Sequence, residues 1–335
     1  MEVTTIHICP ATLAKGYATY SPVGLKRMFG GRKVSHILKY DSPKVNGNDT
    51  EKFIENRVRL SISGVQEKMS LVLDGKLLRL SGNEEHGVYI LKPVPRDVKK
   101  VDQVPANEHL TMQIARQVYG INTAENALIF FKDGEQAYIT KRFDVRQDGS
   151  KLRKEDFASL AGLSKDNAGP DFKYESSYEE IGLLIRRYVP AWRVEIEKYF
   201  ALVVFNFLFS NGDAHLKNFG LLETAQGDFI LSPAYDLLNT RIHVSDADFA
   251  LKKALFADGL GSVLWQRTGH PVKADFYRFG AIIGIAPTRI EKLLVPFLCR
   301  QEKVVQLTAN SFLSDPVKQA YLNYYYQKIN LLGRY

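Results

Sequence analysis

The stretch FLFSNGDAHLKNFGLL, residues 207–222, sets Asp213, His215, Lys217 and Asn218 within six positions of one another, straight after a long apolar run. Polar groups of this kind cost free energy to bury without partners, so the loop is expected to hold something. An aspartate can take a proton from a hydroxyl group. An asparagine oxygen can ligate a hard cation, and a lysine beside it can offset the charge of a transferring phosphoryl group. A second acid, Asp236, follows in ILSPAYDLL, after a turn at Gly227.

The spacing sharpens this chemistry. Asp213 and Asn218 are five residues apart, as in the protein-kinase catalytic loop, where the aspartate handles the hydroxyl proton and the asparagine holds magnesium. Asp236 stands where the acid of a kinase Asp-Phe-Gly motif would bridge metal and phosphates, here within Tyr-Asp-Leu. Upstream, Lys92 is a lone charge ending VYIL, and Glu108 lies near the start of the next helix. Their order suits a lysine that reaches phosphates and pairs with the glutamate. Earlier still, Ser61-Ile62-Ser63-Gly64-Val65-Gln66-Glu67-Lys68 is the expected phosphate loop. It has one glycine and is not a Walker A sequence, but its backbone N–H groups can still face phosphate. Ser61 and Ser63 share a face if the segment is extended. Taken singly, Asp213 and Asn218 read equally well as turn or capping residues, and Lys92 as a solvated strand-edge lysine. Five such features in kinase order outweigh those readings.

The elements needed to position these residues are legible. KMSLVLD and KLLRL meet at Asp74-Gly75, a hairpin signal, with VRLSI before them. GVYILKP is a further strand stopped by Pro93. A helix begins near Pro105 and Asn107, carries Leu110, Ile114 and Val118 on one face, and ends at Gly120. NALIFF and EQAYITKRF follow as strands joined through Asp133-Gly134. Beyond Asp144 the pattern turns helical: EDFASLAG, SYEEIGLLIRRYV and the long PAWRVEIEKYFALVVFNFLF, then a strand at Phe219–Leu222, a strand ending at Asp236, and more helices from 274 onwards. This order predicts an α+β, protein-kinase-like two-lobed fold with a β-rich N-terminal lobe and an all-helical C-terminal lobe. The expected divisions are a small N-terminal segment or subdomain over 1–56, packed on the β-rich lobe, a nucleotide-binding lobe over 57–143 and a catalytic lobe over 144–335.

The bulk composition agrees. The chain has 335 residues, 45% of them hydrophobic, enough for a large core and two lobes. Cys9 and Cys299 are too few for a disulfide framework. MEVTTIHICPATLAKG lacks a signal-peptide pattern, and the apolar run near Tyr199–Phe209, broken by Asn206, is too short to span a bilayer. A soluble protein of a reducing compartment, without membrane contact, is expected. The net charge of +8 is compatible with solubility and with a polyanionic ligand or partner, and does not choose between them.

The motifs SISGVQEK, RFD (142–144), KEDF (154–157), KYES (173–176), NGDAHLKNFGLL and LSPAYDLL resemble those of the HipA-like serine/threonine kinase toxins, over roughly residues 57–330. The resemblance implies ATP and Mg2+ as cofactors, Asp213 as catalytic base with Lys217 beside it, and Asn218 and Asp236 as magnesium ligands. Ser63, Gly64, Val65, Gln66, Lys68, Lys92, Glu108 and His215 would serve the nucleotide, with Lys141, Arg142 and Phe143 as the adenine hinge. It further implies autophosphorylation at Ser61, with Ser63 as a second site. Lys141 departs from the acidic residue that HipA carries at the hinge. The short segment before the kinase core is most like the HipT form of three-component systems. That form implies a separate HipS-like subdomain protein, a HipB-like helix-turn-helix antitoxin, indirect DNA contact through it, and a bacterial cytoplasmic setting. An aminoacyl-tRNA synthetase is the implied substrate, tryptophanyl- rather than glutamyl-tRNA synthetase. Two other readings stay open: a small-molecule phosphotransferase, and a catalytically weak kinase-like binding module in a repressor complex.

Overall fold

The computed structural model describes residues 5–43, 68–82, 85–95, 99–146 and 149–333. It divides into two compact units, Met1–Ile114 with Ala124–Ser150 and Val305–Lys318, and Ala115–Thr123 with Lys151–Val304 and Gln319–Tyr335.

The first unit is built on five strands: β1 (Met69–Asp74), β2 (Leu77–Leu80), β3 (Tyr89–Lys92), β4 (Asn126–Phe130) and β5 (Gln136–Lys141). They form one antiparallel sheet in the order β2-β1-β3-β5-β4. The β1–β2 hairpin turns at Gly75, whose φ of 59° lies in the left-handed region that glycine enters without a Cβ clash. Every residue of the outermost strand β4 is buried, because the N-terminal segment covers its edge. Leu128 N donates to Pro10 O, Phe130 N to His36 O, and Leu38 N to Phe130 O, each at 2.8 Å. Left bare, such an apolar edge would invite pairing with another chain.

The same segment carries α1 (Pro22–Phe29), capped by Ser21 Oγ, which accepts from Gly24 N at 3.1 Å. Met28 and Phe29 join Tyr20, Leu71, Tyr89, Leu91, Ile129 and Ile139 in one core. Two tyrosines in it still satisfy their hydroxyls: Tyr20 OH donates to Leu128 O (2.8 Å) and Tyr89 OH to Met28 O (2.9 Å). Helix α2 (Val104–Gln117) begins in this unit and ends in the second.

The second unit holds α3 (Phe157–Leu160), α4 (Lys165–Ala168), α5 (Tyr178–Tyr188), α6 (Trp192–Leu208), α7 (Val263–Thr268), α8 (Lys273–Ile282) and α9 (Pro287–Leu294); α10 (Glu302–Ala309) and α11 (Asp315–Leu332) each run through both units. A capping box starts α5: Glu180 N donates to Ser177 Oγ (3.1 Å), and Ser177 N to Glu180 Oε2 (2.8 Å). Helix α6 is apolar around most of its second half and buried there, with Phe200 stacked on Phe279 and Phe207 against Phe276.

This unit is not all-helical. Strands β6 (Lys154–Asp156), β7 (Gly220–Glu223) and β8 (Phe229–Leu231) form a three-stranded antiparallel sheet. Two sequence expectations fail here for physical reasons. EDFASLAG does not start a helix at Glu155, because Asp156 is extended (ψ 160°) and caps α3 by accepting from Ser159 N at 2.9 Å. The strand expected to end at Asp236 stops at Leu231: Ser232 N makes the last contact to Gly220 O (2.8 Å), and Pro233 has no N–H to extend the ladder.

Candidate active site

Helix α6 delivers the polar loop, and the loop is pinned by its own backbone. At Ser210 the chain takes a left-handed turn (φ 53°), uncommon for a residue with a Cβ. Asn211 N donates to Asn206 O (2.8 Å) and Asn211 Nδ2 to Asn206 Oδ1 (2.9 Å), so the asparagine that interrupts the apolar run of α6 anchors the turn. Gly212 N donates to Thr240 Oγ1 (2.9 Å), which itself donates to Ser210 O (3.0 Å). A Cβ on Gly212 would lie 2.4 Å from Asp246 Cβ and 2.8 Å from Ala247 O, so the loop runs where only glycine fits.

The segment behind Gly212 is braced in turn. Arg241 NH2 donates to Asp246 O (3.4 Å), and Asp248 gathers Arg241, His270 and Lys328, the last with its ammonium 4.1 Å above the Phe207 ring. Lys328 comes from α11.

Asp213 emerges from this frame exposed as a residue, with its carboxyl close to protein atoms. Tyr174 OH donates to Asp213 Oδ1 at 2.9 Å. Removal from water pushes the Asp213 pKa up; the Tyr174 hydrogen bond and the Lys173 charge pull against this, and the Asp236 charge adds to the rise.

Two further features suit a cation. The Asn218 Oδ1 atom is buried and accepts no hydrogen bond from the described residues, a costly state for an amide oxygen. Asp236 sits on left-handed backbone (φ 56°), and its neighbour ties its segment to the loop: Tyr235 OH donates to Lys217 O at 2.7 Å. An unsatisfied amide oxygen on the same loop as Asp213, whose charge senses that of Asp236, suits Mg2+, which takes one or two carboxylates and completes its shell with phosphate and water. Among the described residues no group of three His, Cys, Asp or Glu gathers, so a cation here would draw on phosphate oxygens as well. Lys217 Nζ lies 3.1 Å from Asp156 Oδ2 in a half-exposed pair, weak enough to exchange. His215 is buried, its Nδ1 has no hydrogen-bond partner among the described residues, and burial with the nearby Lys173 charge pushes its pKa down to about 3. The imidazole is neutral.

In the first unit, Lys92 Nζ donates to Glu108 Oε1 at 2.6 Å, with the two side chains 5% and 3% exposed. Strand β3 places the lysine and the first turns of α2 the glutamate, and the ammonium also lies 5.2 Å from the Tyr138 ring centroid. The pair is dry, so neither charge can lose its partner cheaply.

Lys141, Arg142 and Phe143 follow at the end of β5, half-buried. Lys141 N donates to Glu125 O and Arg142 N to Val88 O, both at 2.8 Å, and the Arg142 guanidinium grips Asp144 at 2.9 and 2.6 Å. Lys68 lies just before β1, half-buried. Ser61, Ser63, Gly64, Val65 and Gln66 fall outside the described residues.

Sequence reasoning assigned no role to Tyr174, Thr240, Asn206 or Asp246. Only the polar Asn206 within an apolar run, and Tyr174 within the KYES motif, carried any signal.

The HipA-like C-terminal domain is matched over residues 60–294. The chain belongs to the HipA-like C-terminal domain family. A Haemophilus influenzae protein named "Putative kinase" is 27% identical over 288 residues, 82% of each chain. A Sinorhizobium fredii protein named "Putative kinase Y4dM" is 32% identical over 58% of this chain and 48% of its own. The Shewanella oneidensis serine/threonine-protein kinase toxin HipA is 26% identical over 62% of this chain and 53% of its own. The chain thus spans about half the length of the last two relatives. Among solved structures, HipA from the Shewanella oneidensis HipA, HipB and operator DNA complex matches with a TM-score of 0.58 at 20% identity, covering 81% of this chain and 63% of that one. The Helicobacter pylori proinflammatory kinase CtkA matches at 0.51 and 16% identity, covering 76% and 90%. These likenesses establish a mixed α/β fold of the HipA and CtkA kind.

Proposed function

We propose that this HipA-like chain is an ATP- and Mg2+-dependent protein serine/threonine kinase that acts as a toxin of a toxin–antitoxin system, in the short HipT form. The observation that carries the reading is the catalytic loop: an aspartate with one carboxylate oxygen tied, five residues before an asparagine whose oxygen is buried without a donor. ATP would supply the phosphoryl group, and a Mg2+ held by Asn218 and Asp236 would offset the charge of its oxygens. Asp213 takes the proton of the acceptor hydroxyl. Lys217 leaves Asp156 to oppose the negative charge of transfer. Asn218 and Asp236 hold the cation, and Lys92, kept extended by Glu108, holds phosphate. Lys68, His215, Lys141, Arg142 and Phe143 serve the nucleotide, together with Ser63, Gly64, Val65 and Gln66.

The name of the Shewanella relative, a kinase toxin, and its solved complex with HipB and operator DNA support the toxin reading and an antitoxin partner through which DNA is met. The rest of the proposal comes from motif resemblance: a HipS-like partner, a bacterial cytoplasmic setting, an aminoacyl-tRNA synthetase substrate (tryptophanyl- before glutamyl-) and autophosphorylation at Ser61 and Ser63. A phosphate brings nearly two negative charges, enough to repel such a loop from ATP. Mass spectrometry of the purified chain and of Asp213→Asn, each incubated with ATP, Mg2+ and purified synthetases, tests the proposal. Phosphate on a synthetase or on Ser61 or Ser63 with the wild type alone supports it; phosphate nowhere refutes it.

A further inference from the structure

Tyr174 contacts the carboxylate on which that reaction would turn, and the KYES motif that holds it assigns it no role. Its ring is fixed. Tyr174 O accepts from Lys252 N and Ser176 N, both at 3.0 Å, and its own N–H donates to Asp171 O at 2.8 Å. Downstream, Lys253 N, Tyr178 N and Glu179 N continue the pairing of 174–179 with 252–255. The aromatic face is gripped by the Lys173 ammonium at 4.9 Å, and His215 meets it edge-on at 5.4 Å. From this mount the phenol reaches one atom, Asp213 Oδ1, at 2.9 Å. Asp213 Oδ2 receives no hydrogen bond from any described residue.

We infer that Tyr174 is a positioning residue for the proton acceptor: it locks Asp213 Oδ1 so that Oδ2 faces the acceptor hydroxyl. A carboxylate on a loop otherwise rotates about its Cβ–Cγ bond, a broad, roughly two-fold torsion, and presents either oxygen in a range of directions. A donor held by a rigid backbone removes that freedom before substrate arrives, as a geometry-dependent proton transfer requires. The phenol is suited to the task because it stays a donor: burial and the neighbouring Asp213 charge raise its pKa above the ordinary tyrosine value. A lysine or histidine there would add charge; a serine would not span the distance. In turnover the acceptor hydroxyl gives its proton to Oδ2 as its oxygen forms the new O–P bond and the bond between phosphorus and the departing ADP oxygen breaks. Tyr174 keeps its own proton throughout.

The inference rests on the kinase reading of this site, and the test separates the two. Steady-state phosphotransfer, nucleotide affinity and thermal midpoint are compared for wild type, Tyr174→Phe and a chain with p-amino-phenylalanine in place of Tyr174. The last keeps an N–H donor where the phenol stood. Tyr174→Phe is expected to lower kcat about 10- to 100-fold, the loss of one hydrogen bond to a charged group, with the KM for ATP, nucleotide affinity and midpoint unchanged. The amino variant should recover most of kcat. Unchanged kcat in Tyr174→Phe overturns the inference while leaving the kinase reading intact. So does a fall in kcat that comes with equal losses of nucleotide affinity and midpoint, and that the amino variant does not restore. If Tyr174→Phe fails to fold, O-methyltyrosine at 174 replaces it: the ring and oxygen stay, the donor goes, and retained kcat refutes. A wild type without phosphotransfer sinks the kinase reading and the inference with it.

Discussion

Replacing Lys92 by methionine should destabilise the first unit far more than losing one surface charge would. The Lys92 and Glu108 side chains are 5% and 3% exposed and 2.6 Å apart. Deleting the ammonium leaves a carboxylate out of water with its charged partner gone, a change that costs about 3–5 kcal/mol. The lost attraction to the Tyr138 ring adds roughly 1 kcal/mol. The apolar contact that methionine makes gives back a similar amount. Against a domain stability of about 5–15 kcal/mol, this is about a fifth of the total or more, and at about 2–4 °C per kcal/mol it lowers the midpoint by roughly 6–20 °C. The double variant Lys92→Met with Glu108→Leu removes both charges and should return to within about 1 kcal/mol of wild type. Denaturant unfolding gives the magnitudes. Hydrogen exchange of the β3 and α2 amides assigns them to the first unit, because two units need not melt as one. A single variant within about 0.5 kcal/mol of wild type would show that water reaches the pair. A double variant as unstable as the single would show that packing, not charge, is at stake. Under the kinase proposal neither variant should turn over ATP, so the restored double variant separates stability from activity.

Three further outcomes are expected. Gly212→Ala forces a methyl group onto Asp246 and Ala247; the loop must move, with about 1–3 kcal/mol lost and phosphotransfer falling at least tenfold, and a crystal structure of the variant with the loop unmoved would contradict this. Asn218→Ala deletes a buried oxygen that has no donor, so thermal stability should hold or rise while Mg2+-dependent activity disappears; a drop of several degrees would indicate a partner for that oxygen. His109, fully buried on α2, has its pKa pushed down to about 3 by burial. Its folded pKa lies below the unfolded value, so its contribution to stability is whole above about pH 6.5 and drains away as pH falls from there towards 3. His109→Met should flatten that slope between pH 7 and 4.5 in denaturant titrations, and parallel pH curves for the two proteins would refute the assignment.

Much of the first unit could be read directly. Alternation, the Asp74-Gly75 and Asp133-Gly134 turns, and the proline stop after Lys92 are local signals, and β1 to β5 and α2 lie where those signals predict. The pinned loop after α6 was visible as polar residues terminating an apolar run. What escaped reading was set by contacts distant in sequence. The β6–β7 pairing joins Glu155 to Leu221, and three residues of extended chain carry no periodicity. The hydroxyl of Tyr174 meets a carboxylate 39 positions on, which no spacing rule encodes. The N-terminal segment carries the single short helix α1 and otherwise covers the β4 edge with backbone groups, which leaves little periodicity to read.

The brace behind Gly212 also sets an order in time. Asp248 and Lys328 are 80 residues apart, and a ribosome adds about 5–20 residues per second. For roughly 4–16 seconds of its synthesis, therefore, a nascent chain has already completed its catalytic loop and lacks the lysine that closes the cluster beneath it. Through that interval Asp248 has, of its partners among the described residues, Arg241 and later His270, and the ledge against which Gly212 rests is unfinished. Support for the catalytic loop thus arrives later than the loop itself, a delay written into the distance between two residues.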